Sequence, residues 1–314
     1  MFLHYRPRTA LLLLLVVLPL TGCLFRSRKV ELQYSSAPLK AATQQELIDF
    51  INGQATRLRS VQATVDIDTS VGGIKKGKVT DYQQIRGYVL ARKPEMLRMI
   101  GLMPIVRNKA FDMVSDGREF KLWIPPKNRF VIGRNDVQSQ HPENPMESIR
   151  PQQIYEALLI PQIDPKDEIA VMENDFEIVN DAKGHKVQQP DYELEVIRKN
   201  KSGVWYLERK IVFSRVDLLP HRQFIYDEEG NVVTNVRYDD YKDYEGIKFP
   251  SQTEIWRPAE EYDITLTIVK LEINPDLGND KFALAQPPGA QVVRLDQGQE
   301  TGTASPQASN RSNR

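Results

Sequence analysis

The sequence predicts a mainly β protein of the α+β class, in which about 11 to 12 antiparallel strands form a half-open β-barrel with a helical lid. Segments that alternate apolar and polar side chains recur along most of the chain. Tight turn sequences separate them, so neighbouring strands are expected to pair antiparallel. Only two segments have convincing helical periodicity, too few to cover both faces of a large sheet. A curved sheet that partly closes on itself, with the helices over its mouth, satisfies these observations.

The first predicted helix opens the globular body. Thr43 and Glu46 have the spacing of a capping box, in which each side chain satisfies a free backbone N–H of the other. Apolar residues follow at helical spacing, which predicts a helix with one face buried against a sheet. These residues are Leu47, Ile48, Ile51, Ala55 and Leu58.

Strands dominate the rest of the chain. Two-residue alternation is clearest over residues 61–68, 192–196 and 205–213. The other strand-like runs are residues 85–91, 96–100, 106–114, 120–124, 130–133, 219–226, 232–241, 249–256 and 264–273. Turn signals such as Asp116-Gly117 and Glu245-Gly246 separate neighbouring runs. The pattern predicts an antiparallel meander.

A second helix is predicted over about residues 150–159. Pro151 is placed where a first-turn proline is tolerated, and Pro161 follows the end of the periodic segment. We expect this helix to form the lid.

The N-terminal residues form an export signal. Arg6 and Arg8 precede an apolar run over residues 10–18, Pro19 breaks it, and Leu20-Thr21-Gly22-Cys23 follows. The run is shorter than the roughly 20 apolar residues that span a bilayer. The last four residues resemble a bacterial lipobox, which implies cleavage after Gly22, a diacylglyceryl group on the Cys23 thiol and acylation of the new N-terminus. The alternative is an ordinary secretory signal with a chance cysteine.

This reading divides the chain into four parts. Residues 1–22 are the expected lipoprotein signal peptide, 23–42 a lipidated tether, 43–295 a single folded domain, and 296–314 a polar tail expected to be disordered. Several acyl chains, of the palmitate type, on one cysteine hold a protein firmly to a membrane. In Gram-negative lipoproteins an aspartate after the lipidated cysteine resembles a signal for retention in the inner membrane. This chain has Leu24 there, so the expected location is the periplasmic face of the outer membrane, with the inner membrane as the alternative.

Composition and motifs exclude several function classes. Basic and acidic residues are equal in number, 42 each, so the chain lacks the positive surface that nucleic-acid binding requires. His141, His185 and His221 have no second histidine or cysteine at metal-ligand spacing. No nucleophile elbow or phosphate-binding glycine motif is present. The sequence therefore predicts no enzyme activity, no metal and no cofactor.

The central and C-terminal strands resemble the LolA/LolB-like superfamily of outer-membrane lipoprotein carriers, receptors and sorting proteins. The resemblance rests on residues 87–94, Leu97-Arg98 and residues 114–117, followed by residues 217–220, 226–230, 238–241 and 246–250, and it covers about residues 43–295. It implies an incomplete antiparallel barrel, closed by helices, around an apolar cavity that receives acyl chains of lipoproteins or other lipids.

The resemblance also implies site residues. In the soluble carriers, an arginine before the proline holds the lid shut through backbone carbonyls. This chain has Lys93 there and Arg92 before it, so these two are the candidate lid latch. In the anchored receptors an apolar loop projects from the barrel, and residues 101–105 occupy a comparable place. They either project or fold under the lid as core. The candidates to line the cavity are Leu97, Met99, Leu102, Met103, Tyr155, Leu158 and Leu159.

These observations lead to one main functional hypothesis. The chain is expected to be a lipid-anchored envelope protein that binds acyl chains and acts in lipoprotein or lipid transfer at the outer membrane, with a periplasmic carrier protein as a further partner. The alternatives are an envelope-stress sensor or a structural lipoprotein that binds a protein partner through the same fold.

Overall fold

The computed structural model describes Tyr34 and residues 37–75, 77–135, 149–181 and 183–295. Cys23, the signal peptide and the tail over 296–314 lie outside the described residues. Within the described part of the chain, no helix combines the length and apolar character needed to cross a membrane.

Helix α1 (Gln44–Arg57) begins at the predicted capping box. The Thr43 hydroxyl accepts a hydrogen bond from the Glu46 backbone N–H, and the Glu46 carboxylate accepts one from the Thr43 backbone N–H. Leu47, Ile51 and Ala55 are buried, as their helical spacing predicted. A local sequence signal therefore fixes both the start of this helix and the face that packs.

In the described residues, fifteen strands and helix α2 (Pro151–Leu158) follow helix α1. The strands are β1 (Ser60–Gly73), β2 (Lys78–Asp81), β3 (Ile85–Arg92), β4 (Met96–Leu102), β5 (Lys109–Ser115), β6 (Glu119–Ile124), β7 (Arg129–Arg134), β8 (Glu168–Asn180), β9 (Lys186–Lys199), β10 (Trp205–Ser214), β11 (Pro220–Tyr226), β12 (Val232–Tyr244), β13 (Ile247–Arg257), β14 (Tyr262–Ile273) and β15 (Gln291–Arg294). Short 3₁₀ turns lie at Pro125–Lys127 and Asn279–Phe282.

The strands form one sheet, in the order β15-β7-β6-β5-β4-β3-β1-β14-β13-β12-β11-β10-β9-β8, with β2 paired to β1. Strand β1 pairs antiparallel with β3 and with β14. Each strand from β3 to β6, and from β9 to β13, pairs antiparallel with the next strand along the chain. Strand β15 pairs with β7 in parallel. The sheet does not close, which confirms the predicted half-open barrel. Three strands were not predicted, namely β2, β8 and β15, and the run expected to begin at residue 106 becomes a strand only at Lys109.

The main core covers one face of the sheet. Along β1 the buried residues alternate with half-buried ones, so Val61, Ala63, Val65 and Ile67 share the concave face. Ile154 and Ala157 of α2 pack into this same cluster. A second buried cluster joins α1 to strands β9 and β10. The two helices thus cover different parts of the concave face.

A second, small unit contains residues 178–188 and Tyr34. Within it, Tyr34 forms an isolated parallel β-bridge with Gln188.

Candidate functional site

An apolar cavity of about 270 Å³ lies on the concave face. Its lining is shared by neighbouring strands, with Ile67 and Val71 from β1, Met99 from β4, Phe111 and Met113 from β5, and Ile264 from β14. Ile149, just before α2, closes part of it. Because the lining is almost entirely apolar, the cavity suits a hydrocarbon ligand.

A cavity of this size lowers the packing energy of the fold. Voids in ordinary protein cores are seldom larger than a water molecule. The cavity is partly open to solvent, and its apolar walls lack the packing contacts that a filled core would give them. A cavity this large is therefore a feature that needs a functional explanation.

Helix α2 contributes side chains to a second, polar cavity. Pro151 lies in the first turn of the helix, as predicted, and the helix begins one residue after the predicted start at about residue 150. Ile154 is buried in the main core, and the Tyr238 hydroxyl donates a hydrogen bond of 2.9 Å to the Ala157 carbonyl oxygen. On another side of the helix, Gln152 and Glu156 line the polar cavity.

The polar cavity has a volume of about 550 Å³ and is lined mainly by hydrogen-bonding side chains. They are Gln152, Tyr155 and Glu156 from α2, Arg198 from β9, Tyr206, Glu208 and Arg209 from β10, and Gln223 and Tyr226 from β11. Lys93 and Glu95 border it as well.

Two arginines and two glutamates form a closed ion-pair network at this cavity. Arg209 Nη1 lies 2.9 Å from Glu208 Oε2, and Arg209 Nη2 lies 3.0 Å from Glu168 Oε2. Arg198 binds the same two carboxylates, at 2.5 Å and 2.8 Å. The four charges therefore compensate one another.

Burial makes two acids at the cavity, Glu156 and the ion-paired Glu208, costly to ionise. Burial raises the pKa of Glu156, and the nearby Glu208 and Glu95 carboxylates raise it further, against a hydrogen bond from Gln152. Burial also raises the pKa of Glu208, although Arg209 and Arg198 act in the opposite direction. Both carboxyls would gain from a cation placed beside them.

The two candidate latch residues contact different elements. Lys93 donates a hydrogen bond to the Ala55 carbonyl in the last turn of α1, and burial lowers the pKa of Lys93. Arg92 donates hydrogen bonds to the Leu277 carbonyl and the Asn279 side chain, both in the segment after β14. Lys93 therefore binds a helix through a backbone carbonyl, and that helix is α1.

Two hairpin turns at one end of the sheet carry exposed apolar side chains. Ile105 is 99% exposed, and Met103 and Val106 beside it are also exposed. Ile74, in the turn after β1, is 100% exposed. Strand pairing places both turns at the end of the sheet where Ile67 and Ile85 line the apolar cavity. The loop over residues 101–105 thus has its apolar tip in solvent.

The other predicted lining residues are distributed over different environments. Met99 lines the apolar cavity, and Leu97 is fully buried in the neighbouring core. Tyr155 and Leu159 line the polar cavity, while Leu158 lines two smaller apolar cavities. Leu102 is half-buried.

Sequence reasoning missed the polar cavity, although Arg209 falls on the same alternating face of β10 as Ile211 and Phe213. A positively charged side chain on an otherwise apolar strand face indicates a buried polar site, and this was the signal that the sequence offered.

One group of carboxylates in the described residues has metal-ligand spacing. Oxygens of Glu173, Glu193 and Glu195 lie within 4.8 Å of one another. Lys210 Nζ lies 2.5 Å from Glu193 and 3.2 Å from Glu195, so a protein cation already compensates two of them. The cluster does not resemble a built metal site.

Comparison with solved structures identifies the fold. A DUF1329 family protein from Desulfovibrio piger matches with a TM-score of 0.51 and 16% identity, over 76% of this chain and 95% of that one. A LolA superfamily protein from Nitrosomonas europaea matches with a TM-score of 0.45 and 17% identity, over 78% and 99%. A protein domain from Vibrio parahaemolyticus, described as outer membrane lipoprotein-sorting, gives 0.47 and 12%, over 76% and 97%.

At these identities the likeness concerns the fold alone, and of the three matches only the DUF1329 family protein has a TM-score above 0.5. The strand order itself confirms the predicted half-open antiparallel sheet with its two helices. No family model and no curated protein matches the sequence.

Proposed function

We propose that this protein is a lipid-anchored envelope protein that binds acyl chains in its apolar cavity and takes part in lipoprotein or lipid transfer at the outer membrane. The observation that carries the proposal is the cavity of about 270 Å³ with its apolar lining. Each methylene moved from water into such an environment contributes about 0.8 kcal/mol. A chain of several methylenes would therefore gain several kcal/mol on entering the cavity, on the order of 0.8 kcal/mol for each.

The exposed hairpin tips support a transfer role. Ile74 and Ile105 are fully exposed at the end of the sheet that carries the cavity. Lys75 and Lys78 flank the first tip, and Arg107 and Lys109 flank the second. Apolar tips with basic neighbours suit contact with an anionic membrane surface. An acyl chain would then pass a short distance between bilayer and cavity.

The remaining expectations complete the proposal. Cys23 would carry the lipid that tethers the protein to the outer membrane, and the inner membrane remains the alternative. The hydrogen bond from Lys93 to Ala55 would hold α1 over the sheet, as the family latch holds its lid. An acyl chain that enters beside α2 would pass the side chains of Tyr155, Leu158 and Leu159.

The test uses a soluble mature form that begins at residue 23 and carries Cys23→Ser. The protein is purified from cells without detergent and analysed by native mass spectrometry and by lipid extraction. Stoichiometric bound lipid or acylated peptide is the expected result. A protein that is free of lipid, and that fails to bind an added fatty acid, would leave the structural or protein-binding alternatives.

A further inference from the structure

The large apolar cavity has an exposed mouth and a buried floor. Tyr82 and Gln83, in the link between β2 and β3, line it and are exposed, so they mark its mouth. Met113 and Leu122 line it as well, and both are buried, so they mark its floor. A ligand that enters past Tyr82 therefore reaches a closed end at Met113 and Leu122.

The cavity does not continue along the rest of the concave face. Two smaller apolar cavities, of about 60 and 10 Å³, share no described lining residue with it. Along β1 the division falls between Ile67, which lines the large cavity, and Val65, which lines the smallest one. On the neighbouring strand β14 it falls between Ile264 and Leu266 in the same way. Packed side chains therefore limit the length of chain that the large cavity can bury.

The volume sets that limit. An engineered apolar cavity of about 150 Å³ in another protein holds a single benzene ring. By proportion, a volume of about 270 Å³ accommodates roughly ten to twelve carbon atoms. That is less than one whole palmitoyl chain, and far less than the several acyl chains of a lipidated cysteine. The cavity is thus large enough for part of one chain.

The chemistry of the lining determines which end of the chain enters. None of the described lining residues carries a charge at neutral pH. The polar ones are Thr69, Tyr82, Gln83 and Tyr262, and burial raises the pKa of Tyr262 to about 12. An ionised carboxylate or phosphate inside the cavity would lose its hydration without meeting a counter-charge. The methyl end is therefore the end that enters, while the head group stays beside Tyr82 and Gln83.

We propose that the protein binds one acyl chain at a time, buries roughly its last ten to twelve carbons with the methyl end inward, and leaves the head group outside the mouth. The ligand is then a lipid that presents a single chain, and a lipoprotein would place at most one of its chains here. This inference rests on the proposed acyl-chain binding, and it adds the number of chains, their orientation and the buried length.

The test is a series of saturated fatty acids from octanoic to octadecanoic acid. Each one displaces cis-parinaric acid from the delipidated mature Cys23→Ser protein, below its micelle-forming concentration. Affinity should rise about fourfold for each added methylene, up to roughly twelve carbons, and then level off, because further methylenes remain in water. Native mass spectrometry should count one chain per protein at saturation. Dodecanoic acid and lauroyl-lysophosphatidylcholine should compete within about threefold of each other, since neither head group enters.

Two substitutions should move the levelling point in opposite directions. Leu122→Ala removes three carbon atoms from the floor and should admit about two to three more carbons of the ligand. Ala110→Leu adds the same atoms to the lining and should move the levelling point to a shorter chain, and it tests the proposal without opening the core. Leu194→Ala makes the matched change in the second buried cluster, outside the cavity, and should leave the levelling point in place.

The outcomes separate this inference from the function on which it rests. If no fatty acid of any length binds, the acyl-chain function and the single-chain inference both fail. Only the single-chain inference is overturned if affinity rises without a break to octadecanoic acid, if two or more chains bind at saturation, or if the two lauroyl head groups differ by about tenfold or more. The same holds if neither Leu122→Ala nor Ala110→Leu moves the break. A break near twelve carbons that either variant moves as expected, while Leu194→Ala does not, supports it.

Discussion

Lys93, directly after β3, donates a hydrogen bond to the backbone carbonyl of Ala55 in the last turn of α1. This carbonyl lies among the final four of the helix, which have no regular intrahelical donor. The residue that would continue the helical pattern, Arg59, instead donates its N–H to the Asn274 side chain. Lys93 therefore completes the C-terminal end of α1 and joins it to the sheet.

The first prediction concerns this hydrogen bond. Lys93→Met keeps the length of the side chain but leaves the Ala55 carbonyl without its charged donor, so the free energy of unfolding should fall by about 1–2 kcal/mol. Lys93→Arg supplies another cationic donor and should recover most of the loss. Urea unfolding of the three proteins measures both effects. Equal stability of Lys93→Met and the wild type would show that the bond does not hold α1.

The second prediction concerns the apolar cavity. Ala110→Leu places extra apolar atoms in the cavity and should raise the free energy of unfolding by about 1 kcal/mol. Because the ligand would lose that space, acyl-chain affinity should fall about tenfold, an effect of about 1.4 kcal/mol. Fatty-acid titration and urea unfolding provide the two measurements.

Ala259→Leu is the control for this substitution, since it adds the same atoms at an exposed turn between β13 and β14. It should change neither quantity by a comparable amount. If the Ala110→Leu protein keeps its full acyl-chain affinity, the ligand does not bind in this cavity.

The third prediction concerns the exposed hairpin tips. The double variant Ile74→Asp with Ile105→Asp should bind anionic vesicles about tenfold less well, because two apolar side chains no longer enter the interface. Both residues are fully exposed, so stability should remain within about 0.5 kcal/mol of the wild type. Vesicle flotation of the soluble form measures the binding. Val269→Asp, an exposed apolar position within β14, is the control and should behave as the wild type.

The fourth prediction concerns the pH dependence of stability. Burial, and then the neighbouring Glu254 carboxylate, raise the pKa of Asp263 to about 6. An aspartate in the unfolded chain titrates near pH 4. Between about pH 4 and pH 6 the folded protein therefore retains a proton that the unfolded chain releases, so stability falls as the pH rises.

Asp263→Asn should remove this part of the pH dependence, about 1 kcal/mol once solvent screening is considered. Asp191, whose pKa burial and Glu177 also raise to about 6, contributes with the same sign. The Asp263→Asn and Asp191→Asn double variant should therefore show the flattest profile in urea unfolding between about pH 4 and pH 7. A slope identical to that of the wild type would contradict the assignment.

The sequence predicted those features that local signals determine. The capping box at Thr43 and Glu46, the alternation along β1 and the proline at the start of α2 each led to the observed element. These signals involve residues close together in the chain, so no knowledge of tertiary contacts was needed.

The features that were missed depend on tertiary context. Strand β8 lies at the edge of the sheet and is mostly exposed, so its charged sequence lacks the alternation that a buried face imposes. The polar cavity brings together Gln152, Arg209 and Gln223 from three separate elements. Gln152 and Gln223 are each of a type common on solvated surfaces, and only the fold shows that they lie beside Arg209 in one cavity.

The central claim is that an acyl chain occupies the cavity beside Met99, and photo-crosslinking tests it most directly. A fatty acid with a diazirine near its methyl end is bound to the mature Cys23→Ser protein, activated by light and mapped by peptide mass spectrometry. The account predicts labels on residues that line the cavity, foremost Met99, Phe111 and Met113. Labels confined to the exposed turns at Ile74 and Ile105, or labelling that excess palmitate does not suppress, would contradict it.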